Sequence, residues 1–157
     1  MADYKIREAL TEDWEAAMNL AWKTFQKFEA PIYPKRGTES FLEFISEPRL
    51  YEMFRQGLYR MYLAVSESGE ILGMITLRNE NMISLLFVEE AYHRRGIGKQ
   101  LIWYVACVVK EEYGKDFCFV LSAPYAVKFY QKLGFYETGS MMLYDGIYST
   151  PMRLDLR

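Results

Sequence analysis

The spacing of apolar residues sorts the chain into helical and extended stretches. Trp14, Ala17, Met18, Ala21, Trp22 and Phe25 recur at helical intervals and share one face. They predict a helix capped by Thr11, with Glu12 and Asp13 in a first turn whose dipole favours negative charge. Pro31 and Pro34 end that helix, and Ala30 to Gly37 reads as a loop. Thr38 opens a second helix carrying Phe41, Leu42 and Ile45, and Pro48 to Gln56 forms a short third one closed by Gly57. Lys5 to Glu8 reads as a first edge strand, while Tyr59 to Ser66 and Ile71 to Arg78 read as strands joined at Ser68-Gly69. Ile83 to Val88 reads as a continuous apolar run, as expected of a strand buried on both faces. Leu101, Tyr104, Val105, Val108 and Val109 then form a helical stripe within Gly98 to Tyr113, with Gly114 as its C-terminal cap. Phe117 to Leu121 is a second buried strand, and Ala123 to Leu133 is helical up to Gly134. Phe135 to Gly139, Met141 to Tyr144 and Tyr148 to Leu156 read as antiparallel strands.

This order, with helices first, antiparallel strands next and a strand–helix–strand–helix unit in the middle, is that of a mixed α/β protein. The length of 157 residues suits a single domain spanning 1–157, and no repeat, low-complexity stretch or linker interrupts it. Hydrophobic residues at 51% and charged residues at 25% describe an ordinary globular chain. The net charge of −2 provides no global positive field, so neither nucleic acid nor an anionic membrane surface is an expected partner. Any anion site must therefore be local. No apolar run reaches the length of a membrane span, and Met1 to Lys5 lacks the charged and apolar regions of a signal peptide, so a cytoplasmic location is expected. Cys107 and Cys118 lie in apolar runs without metal-ligand spacing and are read as reduced core thiols, and no metal is expected.

One local cluster of positive charge does exist. Val88 to Lys99 lies between a buried strand and a long helix, where unpaired backbone N–H groups and the helix dipole form a site for an anion. Gly96 and Gly98 allow close backbone approach to a phosphate, and Arg94, Arg95 and Lys99 add positive charge. Neither P-loop spacing nor the dinucleotide glycine pattern is present. The glycine pattern alone does not outweigh a basic helix cap on a solvated loop, but its position between strand and helix favours a pyrophosphate.

The run His93-Arg94-Arg95-Gly96-Ile97-Gly98 resembles the signature Gln/Arg-x-x-Gly-x-Gly/Ala of the GCN5-related N-acetyltransferase (GNAT) superfamily, with His93 in place of Gln or Arg. A second segment, Ala126 to Phe135, resembles that family's Ala-x-x-hydrophobic-Tyr-x-Lys-x-Gly-Phe, one strand and one helix downstream. The resemblance runs from about Ile83 to Phe135 and implies a mostly antiparallel mixed sheet of six or seven strands, with helices on both faces. It also implies a parallel pair, Ile83–Val88 and Phe117–Leu121, that splays apart to admit the pantetheine of acetyl-CoA.

On that resemblance the chain transfers an acetyl group from acetyl-CoA directly to a primary amine, releasing CoA. The backbone of Leu86, Phe87 and Val88 would pair with pantetheine, and an N–H near Val88 would support the developing oxyanion. Arg94, Arg95, Gly96, Ile97, Gly98 and Lys99 would hold the pyrophosphate, with Ser122, Tyr125, Phe129, Tyr130 and Lys132 as further cofactor contacts. Tyr130 matches the family's general acid. A phenol of pKa ~10 protonating a thiolate of ~8.5 works uphill by only about 2 kcal/mol. His93, the chain's single histidine, is read as a turn residue. The base is not legible, since Met82 stands where some members carry glutamate, leaving Glu80 and Asn81 close in sequence, Glu29 where the first helix meets the Ala30–Gly37 loop, or an amine that arrives already neutral. Glu29, Tyr33 and Tyr144 are the candidate acceptor contacts, because a cationic amine favours carboxylate and aromatic neighbours. A small-molecule or peptide amine is the expected partner, and the C-terminal strands are expected to allow a homodimer. Two alternatives stand beside this reading: a catalytically silent CoA-binding module of the same fold, and an interaction domain whose glycine turn is merely a cap.

Overall fold

A computed structural model describes residues 3–157, so Met1 and Ala2 of the N-terminal stretch read above lie outside the described residues. The sheet is built from β1 (Tyr4–Glu8), β2 (Tyr59–Ser66), β3 (Ile71–Arg78), β4 (Met82–Val88), β5 (Phe117–Ser122), β6 (Tyr136–Glu137), β7 (Met142–Tyr144) and β8 (Ile147–Asp155). Its order is β1-β2-β3-β4-β5-β8-β6, with β7 pairing β8 at one end. That makes eight strands rather than six or seven, because Phe135 to the C-terminus supplies two short strands besides β8. Every pairing is antiparallel except β4 with β5.

The helices are α1 (Trp14–Phe28), α2 (Lys35–Ser46), α3 (Pro48–Arg55), α4 (Ile97–Glu112) and α5 (Val127–Lys132). One face of the sheet receives α1 to α3, around a core that includes Phe25, Phe41, Tyr59, Leu85 and Phe87. The opposite face receives α4 and α5, around Ile83, Leu101, Val105, Val120 and Tyr130. Burial of this apolar area on both sides of the sheet is the main force holding the layers together.

Several local expectations are corrected. Thr11 does not cap α1: Thr11–Asp13 is a single 3-10 turn, and Asp13 accepts from the Leu10 N–H at 2.7 Å while pairing with Arg7 at 2.8 Å. The second helix begins at Lys35 rather than Thr38, since Pro34 supplies the extended cap conformation and Gly37 enters the first turn. Gly37 is needed there, because a β-carbon would collide with the carbonyl of Gly146. Tyr104 lies outside the α4 stripe, 37% exposed against the ring of Tyr62. Cys118 is buried, but Cys107 faces solvent on α4. Ile83–Val88 is not buried on both faces throughout: Ser84, Leu86 and Val88 are only half-buried, because β5 does not stay beside β4.

Among the described residues, no helix is long and apolar enough to cross a membrane. Nor do they include a group of three or more His, Cys, Asp and Glu side chains placed to hold a metal ion.

Candidate active site between the parted strands

The parallel ladder between β4 and β5 lasts for two residue pairs, Met82 with Phe119 and Ile83 with Val120. Beyond them β4 stays with β3 and β5 stays with β8, and a wedge opens between the two. The parting coincides with a β-bulge, where the β3–β4 register shifts between Ile75 and Leu77. Ser84 and Leu85 together oppose Thr76, so the residues after the bulge change faces: Ile83 packs towards α4, whereas Leu85 and Phe87 pack towards α1 and α2.

The bulge leaves polar groups inside the protein, and the buried Thr76 and Tyr59 with the half-buried Ser84 satisfy them. The Leu85 N–H donates to Thr76 Oγ1 at 2.9 Å, and the Tyr59 hydroxyl donates to Ser84 Oγ at 2.9 Å. Thr76 and Tyr59 lie 2.8 Å apart, so the threonine O–H, free to donate, closes the chain on the tyrosine oxygen. Burial pushes the Tyr59 phenol up to about 12, keeping it protonated for this role. Nothing in the apolar pattern of the sequence announces this lock.

Strand phase determines what faces the wedge. The Glu89 N–H donates to the Leu72 carbonyl at 2.8 Å, which makes Glu89/Leu72 and Phe87/Met74 the hydrogen-bonded pairs of the ladder. Leu86 and Val88 are then the non-bonded pairs, and their N–H and C=O groups point away from β3 towards the opening. The Val88 carbonyl is taken by His93, whose Nε2 lies 2.7 Å away and must carry the proton, since a carbonyl only accepts. The Phe28 ring, with its centroid 5.1 Å from that of His93, packs against it. His93 thus ties the strand end to the turn, and the Val88 N–H and both backbone groups of Leu86 remain directed at the gap.

The basic turn sits at the mouth of this wedge. Gly96 takes the left-handed conformation (φ +82°) and starts α4, whose first internal bond runs from the Gln100 N–H to the Gly96 carbonyl. Among the described residues, the successive N–H groups from Arg94 to Lys99 have no acceptor. Arg94, Arg95 and Lys99 are exposed and pair with no carboxylate, and Arg95 lies over the Tyr92 ring. The neighbouring acids are drawn off to α1, Glu89 by Lys23 at 2.9 Å and Glu90 by Lys27 at 2.6 Å. Gly98 brings the two sequence signatures together: a β-carbon on it would stand 3.3 Å from Phe129 and 3.8 Å from Val88.

On the far side of the wedge, Tyr130 is buried against Phe129 and Phe135, and its hydroxyl bonds to no described side chain. Glu29, at the C-terminal end of α1, accepts from the Tyr33 hydroxyl at 3.0 Å. Burial, only partly offset by that hydrogen bond, pushes its carboxyl up to about 7. Burial first, then nearby groups including Glu29, raises the phenol of Tyr130 well above the ordinary range. Glu29 therefore lies beside Tyr33 and within electrostatic reach of Tyr130.

The remaining sequence candidates are placed less centrally. The Ser122 hydroxyl donates to the adjacent Ala123 carbonyl at 2.8 Å, Lys132 is exposed on α5, and Tyr144 is 81% exposed beside the β7–β8 turn. Glu80, weighed as a base, pairs with Lys115, and the Asn81 side chain donates to the Phe117 carbonyl at the root of the wedge. Tyr148, which the sequence did not single out, stacks near Tyr33 with ring centroids 6.2 Å apart.

Comparison with known proteins agrees with this geometry. The sequence profile of the acetyltransferase (GNAT) domain matches residues 29–156. The chain belongs to the GNAT family. Among GNAT structures, a GCN5-related N-acetyltransferase from Rhodopseudomonas palustris superposes with a TM-score of 0.84 at 19% identity, covering 99% of this chain and 98% of that one. The PaiA N-acetyltransferase of Thermoplasma acidophilum, solved with coenzyme A, gives 0.76 at 21% identity over 98% and 99% of the two chains. The spermidine N-acetyltransferase of Vibrio cholerae, in complex with CoA and spermine, gives 0.68 at 15% identity over 98% and 95%. At these identities the GNAT structures establish the fold. Among curated protein sequences, none matches this chain. As a GNAT protein the chain is an acetyltransferase, and its wedge and basic turn are the parts with which this reaction must be reconciled.

Proposed function

We propose that the protein transfers the acetyl group of acetyl-CoA to a primary amine, without a covalent acyl-enzyme. The observation that carries this reading is the inner edge of β4, where the Val88 N–H and the backbone of Leu86 face an opening beside a turn of unpaired N–H groups. The Leu86 groups suit an extended amide chain lying along β4 as an added strand. The amides from Arg94 to Lys99, with the three free cations, suit a pyrophosphate. Bound there, acetyl-CoA supplies a thioester whose carbonyl accepts the amine.

The roles of the side chains follow. The Val88 N–H donates to the carbonyl oxygen as negative charge develops on it, without reorganisation at the moment of reaction. Glu29 takes the proton that the attacking nitrogen must lose, directly or through one water, and its carboxyl at about 7 is matched to that task. As the C–N bond forms and the C–S bond breaks, Tyr130 gives its proton to the departing thiolate, and water restores both groups. Burial keeps the Tyr130 phenol protonated at neutral pH and also makes it a weaker acid than a free phenol. The transfer therefore costs more than it would from an unshifted tyrosine, and the proton moves only as charge develops on the thiolate.

Tyr130→Phe tests the assignment. Turnover is expected to fall by about 10²- to 10⁴-fold while the KM for acetyl-CoA stays within a factor of two or so. Undiminished turnover would remove Tyr130 from the mechanism. A silent CoA-binding module would instead bind acetyl-CoA and release no thiol with any amine.

A further inference from the structure

The surface around Glu29 restricts the kind of amine that can bind there. We propose that the acceptor is a monoamine carrying an apolar, preferably aromatic, body rather than a polyamine, an inference that rests on the acetyl-transfer reading above.

Charge supports the first half of this proposal. Glu29, held by the Tyr33 hydroxyl at 3.0 Å, is the carboxylate beside the wedge. Four acids on the flanking segments already have cations, Glu89 with Lys23, Glu90 with Lys27, and Glu43 and Asp145 with Arg36 at 3.0 Å and 2.7 Å, while Glu39 on α2 is exposed to solvent. One ammonium finds one buried partner. A second or third ammonium on the same molecule would lose its hydration without gaining a free carboxylate.

Shape and surface support the second half. The chain segments around Glu29 are Ala30–Tyr33 after α1, the start of β8 and the end of β5 with its following turn. Tyr33 and Tyr148 pack against one another with ring centroids 6.2 Å apart, and the Tyr33 hydroxyl lies 3.5 Å from the Tyr148 carbonyl, so the two rings form one aromatic wall. Leu143 is the cross-strand partner of Tyr148, which puts it on the same face of the hairpin, and it is 54% exposed. Ile32, Leu121 and Tyr125 on the bounding segments are also exposed apolar or aromatic residues. The hairpin is fixed in place by Arg36 on Asp145, by the Ser40 hydroxyl donating to the Asp145 carbonyl at 2.7 Å, and by the close approach of Gly37 to Gly146. A partly exposed apolar wall held rigidly beside one carboxylate suits a hydrocarbon or aryl group attached to the reacting ammonium.

The test measures thiol release by the purified protein with acetyl-CoA and matched concentrations of 2-phenylethylamine, hexylamine, putrescine and spermidine. The expected result is a kcat/KM for 2-phenylethylamine at least tenfold above that for spermidine, with hexylamine above putrescine. Leu143→Asp, which places a second carboxylate on the wall, is expected to narrow that ratio at least fivefold while leaving the KM for acetyl-CoA unchanged. Equal or better use of spermidine would overturn the monoamine assignment and leave acetyl transfer standing. Thiol release with none of the four amines, despite acetyl-CoA binding, would overturn the acetyl-transfer reading and this inference with it.

Discussion

Glu29 has an ordinary sequence context, following Phe28 at the end of a helix, and only the fold gives it an unusual environment. Its carboxyl holds a proton up to about 7 in the folded chain, against 4.5 for a free side chain. The folded state therefore binds more protons than the unfolded one between those values, and stability falls as pH rises through that window. Glu29→Gln is expected to flatten this dependence and to raise stability above pH 7 by about 2 kcal/mol, measured by denaturant midpoints at pH 5 and pH 8. With Glu29 as the proposed base, the same substitution should abolish the rise of kcat/KM with pH through neutrality. Its role was only partly legible in the sequence. A carboxylate near a helix end is unremarkable until Tyr33 bonds to it and Tyr130, from a segment about a hundred residues away, comes near. His93 was legible as a turn residue, whereas its bond to the Val88 carbonyl follows from strand phase and turn geometry together.

At the level of elements, the bulge in β4 and its parting from β5 begin at the same residues. Thr76 is central, since it accepts the N–H that the bulge displaces and donates to Tyr59. Thr76→Val keeps the shape but removes both interactions, leaving a buried N–H without a partner. The expected cost is about 2 kcal/mol of stability together with a raised KM for acetyl-CoA, and Thr76→Ser should restore both, as read by chemical unfolding and steady-state kinetics. Hydrophobic periodicity located β2 to β5, α1, α3 and α4 within a residue or two, because each has one continuous apolar face or run. It misplaced the start of α2 and the cap of α1, where Pro34 and Asp13 decide the backbone, and it missed the bulge, whose cause is a pair of hydroxyls. The basic turn was legible for the opposite reason: its glycines and arginines need no distant partner to act.

Across the whole molecule, the wedge is a break in an otherwise paired sheet, closed at its root by two residue pairs and the Asn81–Phe117 hydrogen bond. A ligand that bonds to β4 and to the turn binds only the folded chain, so it must stabilise the whole of it. Coenzyme A at 100 times its Kd is expected to add about 2.7 kcal/mol, which for a domain of this size raises Tm by roughly 5–10 °C in a thermal-shift assay. No shift would argue against the wedge as a CoA site. The mixed architecture and the parted parallel pair were anticipated from two signatures only some thirty residues apart. The acceptor wall was not, because Tyr33 and Tyr148 meet across 115 positions of chain.

That separation has a consequence for how the protein is made. β8 is the last strand in sequence, yet it lies inside the sheet between β5 and β6 and carries the outer wall of the wedge. A nascent chain can complete β1 to β4, the basic turn and α4 while β5 still has a bare outer edge, exposed to pairing with the wrong strand. The outer edge of β5 is thus covered only after the intervening α5 and β7 have been made, since β8 starts some twenty-five residues beyond the end of β5.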